Sequence, residues 1–224
     1  MGRSLLAEGL GSLLLAAAVV GSGIMGERLA GGNLAIVLLA NTAATVLALA
    51  TLIAFLGPIS GAHFNPMISL AEAIRGRLPL RRTIAYVAVQ SIGCCGGAML
   101  ANAMFDLPLV QASTHVRTGG AQWLSEGVAT AGLVMVALGS PSVRAAAWRV
   151  PAWIGAAYWF TASTSFANPA ITLGRSLSDT FAGIRPIDAP WFMGAQLAGG
   201  LVGMLLARML LGTSLERINS ERLD

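Results

Sequence analysis

Six stretches of the chain are apolar enough and long enough to cross a bilayer: residues 5–25, 34–56, 83–105, 122–140, 150–166 and 191–211. A spanning helix needs about 20 mostly apolar residues to cover about 30 Å of hydrocarbon. The fifth run is the shortest and has weak edges. Helix-breaking pairs stand between the runs: Gly31-Gly32, Gly57-Pro58, Leu78-Pro79, Gly119-Gly120, Ser140-Pro141 and Arg185-Pro186. Two stretches, 57–76 and 165–184, fit neither a span nor a plain loop. Each holds Asn-Pro followed by about two turns of helix-compatible residues, and each is too short and too polar to span. A half-helix that enters the membrane and turns back satisfies its backbone by being buried in protein or by lining a water-filled cavity.

The pattern occurs twice. Glu8-Gly9 with Ser12 opens the first run, and Glu126-Gly127 with Thr130 opens the fourth. Asn65-Pro66 follows the second run, and Asn168-Pro169 follows the fifth. Gln90, Gly93 and Gly97 in the third run match Gln196, Gly199 and Gly203 in the sixth. Corresponding positions lie 118, 103 and 106 residues apart, so only connectors differ in length. Each half has three spans, an odd number, so the second half enters from the opposite face as an inverted repeat. The two half-helices then meet near the midplane. The chain reads as one unit, with repeat one at about 1–110, repeat two at about 118–212 and a tail at 213–224.

Composition agrees with a membrane protein. Of 224 residues, 55% are hydrophobic and 11% charged, and mean hydropathy is +0.72; a soluble protein carries roughly 25% charged residues. The 27 glycines suit closely packed membrane helices. The first run is span-sized and lacks a cleavable-signal pattern. All 14 basic residues are arginines, set in short clusters between the runs rather than on one face, which argues against a nucleic-acid partner. With the N-terminus inside, ten of them (Arg3, Arg75, Arg77, Arg81, Arg82, Arg144, Arg149, Arg208, Arg217 and Arg222) fall on the cytoplasmic side, so the positive-inside rule puts both termini there. Trp123, Trp148 and Trp191 stand at span edges as interface anchors. Cys94 and Cys95 are adjacent within an apolar run and read as small residues at a helix contact; no metal set or cofactor motif accompanies them.

Candidate chemistry concentrates at the duplicated positions. Asn65 and Asn168 are placed as helix N-caps with proline at the first helical position. Each helix start carries about half a positive charge, so two of them at the midplane oppose cations and hydronium. Their carboxamides offer N–H donors to a passing solute oxygen. Glu8 and Glu126, ionisable groups inside spans, either accept backbone N–H bonds from the re-entrant loops or relay protons. His63 either orders its loop or gates a vestibule, and His115 is a solvated loop residue. Arg175 either supplies a cation near position 171 or caps its half-helix toward the loop, with Asp179 as an ion-pair partner.

The stretch SGAHFNPM at 60–67, FANPA at 166–170, the Glu8/Glu126 pair and the two Q-x-x-G helices resemble the aquaporin, or major intrinsic protein, family over almost the whole chain. The resemblance implies an all-α fold of six transmembrane helices and two re-entrant half-helices, with one pore per subunit, assembled as a homotetramer in the cell inner membrane. It implies passive passage of water and small neutral solutes, with Asn65, Pro66, Met67, Asn168, Pro169 and Ala170 at the pore centre and Glu8, Glu126, His63, Gln90 and Gln196 in support. Two departures stand out. Met67 replaces the usual Ala of the first box, and Ile171 occupies the position where most of the family has the filter arginine. The other filter positions fall by count on Thr45, Ala156 and Ser165, so the filter reads without arginine, histidine or aromatic. Bacterial aquaglyceroporin-like members associated with arsenic resistance also lack that arginine, which extends the expected solutes to glycerol-like molecules and metalloid acids such as arsenite. The rival class, a secondary transporter, also uses inverted repeats but needs a coupling-ion site at the midplane, where this sequence offers only the two asparagines. An enzyme is weaker still, with two histidines and no metal set.

Overall fold

The computed structural model describes the backbone of residues 1–220 and the side chains of residues 1–212. The side chains of the expected tail, 213–224, lie outside the described residues. Eight helices follow in order: α1 Gly2–Leu29, α2 Leu34–Ser60, α3 Pro66–Ile74, α4 Leu80–Met104, α5 Gly120–Leu138, α6 Val143–Phe160, α7 Pro169–Arg175 and α8 Ala189–Ser220, the last interrupted at Gly212. The boundaries follow local chemistry. Asn33 caps α2 by accepting from the Ala35 and Ile36 amides, Ser142 caps α6 through the Ala145 amide, and α2 stops at Gly61, whose φ of 91° suits a residue without a Cβ.

The fifth long helix, α6, differs from the sequence expectation. The run at 150–166 becomes a helix that starts at Val143 and ends at Phe160. Residues 161–168 leave the helix to form the approach to Asn168, and the cap at Ser142 sets the other end earlier. Among the described residues, α1, α2, α4, α5 and α8 are each long and apolar enough to cross a membrane by themselves. α6 carries Arg144 and Arg149 in its first turns and is not among them. It takes the same place in the second half as α2 in the first.

The halves are built alike. α1 packs along α4, and α5 along α8, at the glycine pairs. A Cβ on Gly93 or Gly97 would strike the Gly9 and Leu13 carbonyls, and one on Gly199 or Gly203 would strike those of Gly127 and Ala131. Backbone approach this close is the use of small residues in membrane packing. The half-helices also reach across the halves: α7 packs mainly on α4, and α3 touches α8 as well as α4. At the first of these contacts Gly174 faces the Cys94 carbonyl, so the buried Cys94 is a small residue at a helix junction. Leu47, Phe55, Ile84, Ile92, Leu124 and Leu210 are exposed on the outside of the bundle, an apolar exterior suited to hydrocarbon. This is an all-helical, six-span membrane fold with two re-entrant half-helices.

Candidate functional site

A cavity of about 280 Å³ runs between α1, α2, α5 and α6, past the starts of both half-helices. One mouth is bordered by Glu72 in the last turn of α3 and by Arg75 and Arg77 beyond it, the other by Ser165, Ile171 and Arg175 at α7. α4 and α8 stand behind the lining and brace the half-helices.

Asn65 and Asn168 both line this cavity, at the starts of the two half-helices. Asn65 Oδ1 accepts from the Met67 amide at 2.9 Å, and Asn168 Oδ1 accepts from Ala170 and Ile171 at 3.0 and 3.3 Å. The amide nitrogens cross over: Asn65 Nδ2 donates to the Ala167 carbonyl and Asn168 Nδ2 to the Phe64 carbonyl, both at 2.8 Å. Each asparagine thus caps its own half-helix and fastens the loop of the other. A carboxamide nitrogen has two hydrogens, and the crossing bond uses one, leaving the second for the lumen. Pro66 and Pro169 each start a half-helix, where a missing N–H costs nothing. Ala170 and Met67 are buried behind them.

The loops that deliver the asparagines use unfavourable backbone. Ala62, Phe64, Ser165 and Ala167 have φ of 50°, 47°, 51° and 48°, and the left-handed region costs non-glycine residues about 1–2 kcal/mol each. The two buried carboxylates offset this. Glu8 accepts from Ser60 Oγ (2.6 Å), the amides of His63 (2.9 Å) and Phe64 (2.8 Å), and Gln90 Nε2 (2.8 Å). Glu126 accepts from the amides of Phe166 (2.8 Å) and Ala167 (2.9 Å) and from Gln196 Nε2 (2.7 Å). Hydrogen bonds to charged groups contribute about 1.5–3 kcal/mol each. The glutamines continue in parallel, Gln90 to Ser69 Oγ and Gln196 to Thr172 Oγ1. His63 lines the cavity, with Nδ1 3.0 Å from Ser69 Oγ and its ring edge-on to Tyr86.

The α7 mouth differs from the filter counted along the sequence. Thr45, Ser165 and Ile171 line the cavity. Ala156 does not: it is exposed, roughly opposite the face of α6 formed by Val150, Ile154 and Tyr158, which do line it. Tyr158 is buried, with its hydroxyl 3.5 Å from Thr45 Oγ1. Trp153 turns instead to α5, donating to the Ala129 carbonyl, and Trp159 is half-exposed outside. Phe166 and Arg175 also line this mouth. So the mouth does hold aromatic rings and an arginine, contributed by positions that counting from the boxes passes over. The spacing 150/154/158 along α6 is the sequence signal for its cavity face; the misplaced helix boundary obscured its register.

Arg175 does not pair with Asp179, which accepts from the Thr114 amide and hydroxyl. Its Nε donates to the Ala182 carbonyl and its Cζ lies 3.3 Å from the Phe166 ring centroid; desolvated contacts of this kind reach about 2 kcal/mol. Arg117 is buried beneath the same mouth. Its guanidinium donates to the carbonyls of Gly183 (2.8 Å), Phe181 (3.1 Å) and Ser163 (3.3 Å), and burial pushes its pKa down to about 10, so it stays charged at neutral pH. His115 is exposed, its carbonyl accepting from the Arg185 amide.

Comparison with known proteins agrees with this geometry. The family model "Major intrinsic protein" matches residues 1–158. The chain is 53% identical to Aquaglyceroporin AqpS of Rhizobium meliloti over 211 residues, 93% of this chain and 90% of that one. It is 30% identical to Aquaporin Z of Brucella melitensis over 225 residues, covering 91% of each. Among solved structures, the aquaglyceroporin from Plasmodium falciparum superposes with a TM-score of 0.71 at 18% identity, over 97% of this chain and 98% of that one, which supports the fold. With its paired Asn-Pro half-helices meeting in a cavity through an inverted six-span bundle, this chain belongs to the major intrinsic protein family and is a membrane channel, not an enzyme.

Proposed function

We propose that this channel passes glycerol-sized and metalloid-acid-sized neutral solutes, such as arsenite in its uncharged acid form, and carries water without selecting for it. The observation that carries this reading is the crossed pair of asparagines lining the cavity, each with a carboxamide hydrogen left for a solute oxygen. The two positive half-helix ends oppose cations, and the strong similarity to a bacterial aquaglyceroporin favours solutes larger than water. Thr45, Ser165 and Ile171 act as filter positions, joined by Tyr158 in place of Ala156. The chain resides in the cell inner membrane with both termini cytoplasmic, supported by the ten arginines on that side, which makes the α7 mouth the outer one. It assembles as a homotetramer, supported by family resemblance and the broad apolar exterior of the bundle.

Stopped-flow swelling of proteoliposomes in gradients of glycerol, urea, neutral arsenous acid and an impermeant osmolyte tests this. Solute-driven reswelling that rises linearly with the gradient, without any pH difference or voltage, is expected. Permeability to water alone defeats the solute assignment. Saturating flux that needs an ion gradient would indicate a transporter.

A further inference from the structure

We propose that Arg175 is the charged, specificity-determining residue of the α7 mouth, supplying from one turn further along α7 the cation that Ile171 does not, with Tyr158 and Phe166 as its aromatic walls. The proposal rests on the channel reading and concerns how that channel selects.

Residues 171 and 175 share a face of α7, and their Cα atoms lie about 6 Å apart along the axis. Side chains on a helix tilt toward its N-terminus, so a residue covers the turn before its own Cα. Arg175 does so here: its guanidinium reaches back over α7 to lie against Phe166, which precedes the half-helix. Arg175 and Ile171 both line the cavity.

Its surroundings leave its charge to the pore. Arg175 is 2% exposed. Nε is satisfied by the Ala182 carbonyl, but Nη1 has no hydrogen-bond partner among the described residues. Glu126 is occupied by the amides of Phe166 and Ala167, Asp179 by Thr114, and Asp188 by Arg185 and the Arg117 amide. The nearby Arg117 adds a second charge and is likewise held by carbonyls. A buried charge is costly unless it is paired and hydrogen-bonded, so Arg175 keeps an unmet demand for an acceptor in the wall of the cavity it lines. Ser165 Oγ, on the same mouth, is also buried without a partner. Together they set two unsatisfied donors, one of them cationic, in the wall of the mouth, and a small cation passing there meets an uncompensated positive charge.

The test compares Arg175→Gln, Arg175→Lys and the double variant Ile171→Arg/Arg175→Gln with wild type, in proteoliposomes, by sodium leak, water flux and glycerol flux. Wild-type glycerol flux checks the channel reading itself: without it, that reading fails before the variants are considered. Arg175→Gln is expected to raise sodium leak about tenfold, equivalent to about 1.4 kcal/mol of barrier, and to lower the glycerol-to-water flux ratio, while the double variant restores cation exclusion. If Arg175→Gln is folded, as judged by its melting temperature and elution, and keeps wild-type sodium tightness and flux ratio, the proposal is overturned and Arg175 only clamps the loop at Ala182. If Arg175→Gln does not fold, Arg175→Lys decides. It retains the charge but not the planar donor fork, so sodium tightness with an altered glycerol-to-water ratio supports the proposal, and an unaltered ratio overturns it.

Discussion

Met67 lies in the space that Gly200 leaves open: a Cβ on Gly200 would collide with the Met67 methyl group. Met67 is fully buried, packed with Val134, Leu138 and Ala207 between α3, α5 and α8. The larger residue in the first Asn-Pro box is thus matched by a missing side chain on α8. Truncation by Met67→Ala should destabilise the protein by about 2–5 kcal/mol through the cavity it leaves. Gly200→Ala should cost less, because the atom it strikes ends a flexible side chain. The double variant should be less destabilised than the two losses added together, as coupled neighbours are. Thermal denaturation in detergent measures all three, and strict additivity would show that the two positions do not compensate.

The crossed asparagines make a second prediction. In Asn65→Asp or Asn168→Asp the carboxylate keeps a cap acceptor but has no N–H for the Ala167 or Phe64 carbonyl. An orphaned buried acceptor costs about 1–3 kcal/mol, and the new charge offsets the positive half-helix ends. Both lower stability and a higher sodium leak are expected. Variants as tight to sodium as wild type would sink the half-helix account of cation exclusion.

Glu8 and Glu126 differ in load, and the difference can be measured. Glu8 holds four donors and Glu126 three. A glutamine presents its NH2 to donors that need an acceptor, so each variant forfeits bonds contributing about 1.5–3 kcal/mol apiece. Glu8→Gln should lower the melting temperature more than Glu126→Gln. Proton relay makes the opposite demand: stable protein whose flux shifts strongly with pH.

The register of α6 is open to a direct test. Tyr158→Ala should widen the mouth and raise the glycerol-to-water flux ratio, since the ring lines the cavity beside Thr45. Ala156→Phe, on the exposed face of the same helix, should leave the ratio as it was. The reverse pattern would return Ala156 to the filter.

Acid should loosen the loops at the α7 mouth. Burial alone would raise the Asp188 pKa, but hydrogen bonds from Arg185 and from the Arg117 amide pull it below its ordinary value of 3.8. A carboxylate with a depressed folded pKa contributes stability that is complete above the unfolded value and is lost as pH falls through the folded one. The tie between residues 117 and 188 should therefore hold at neutral pH and weaken below about pH 4. Amide exchange around residues 113–118 measures this, and Asp188→Asn should already show the loosened pattern at pH 7. Equal protection in wild type and variant would remove Asp188 from that role.

The bundle was legible in the sequence because its signals are local or repeated. Hydrocarbon thickness fixes the length of an apolar run, Asn-Pro fixes a helix start wherever it occurs, and the duplicated Glu, Asn-Pro and Q-x-x-G positions fix an inverted topology by parity alone. Only the tertiary structure decided which side chains share the α7 mouth. Counting from Asn168 assumes an unbroken register through residues 156–168, but α6 ends at Phe160 and the chain then turns through left-handed positions at Thr164, Ser165 and Ala167, so Tyr158 rather than Ala156 faces the cavity. The crossed bonds join residues 102 and 104 positions apart, which no local pattern encodes. Arg175 reaches the mouth because a long side chain folds back onto a ring nine residues earlier, and its direction depends on Phe166 and Ala182 being brought to it by the packing of both halves.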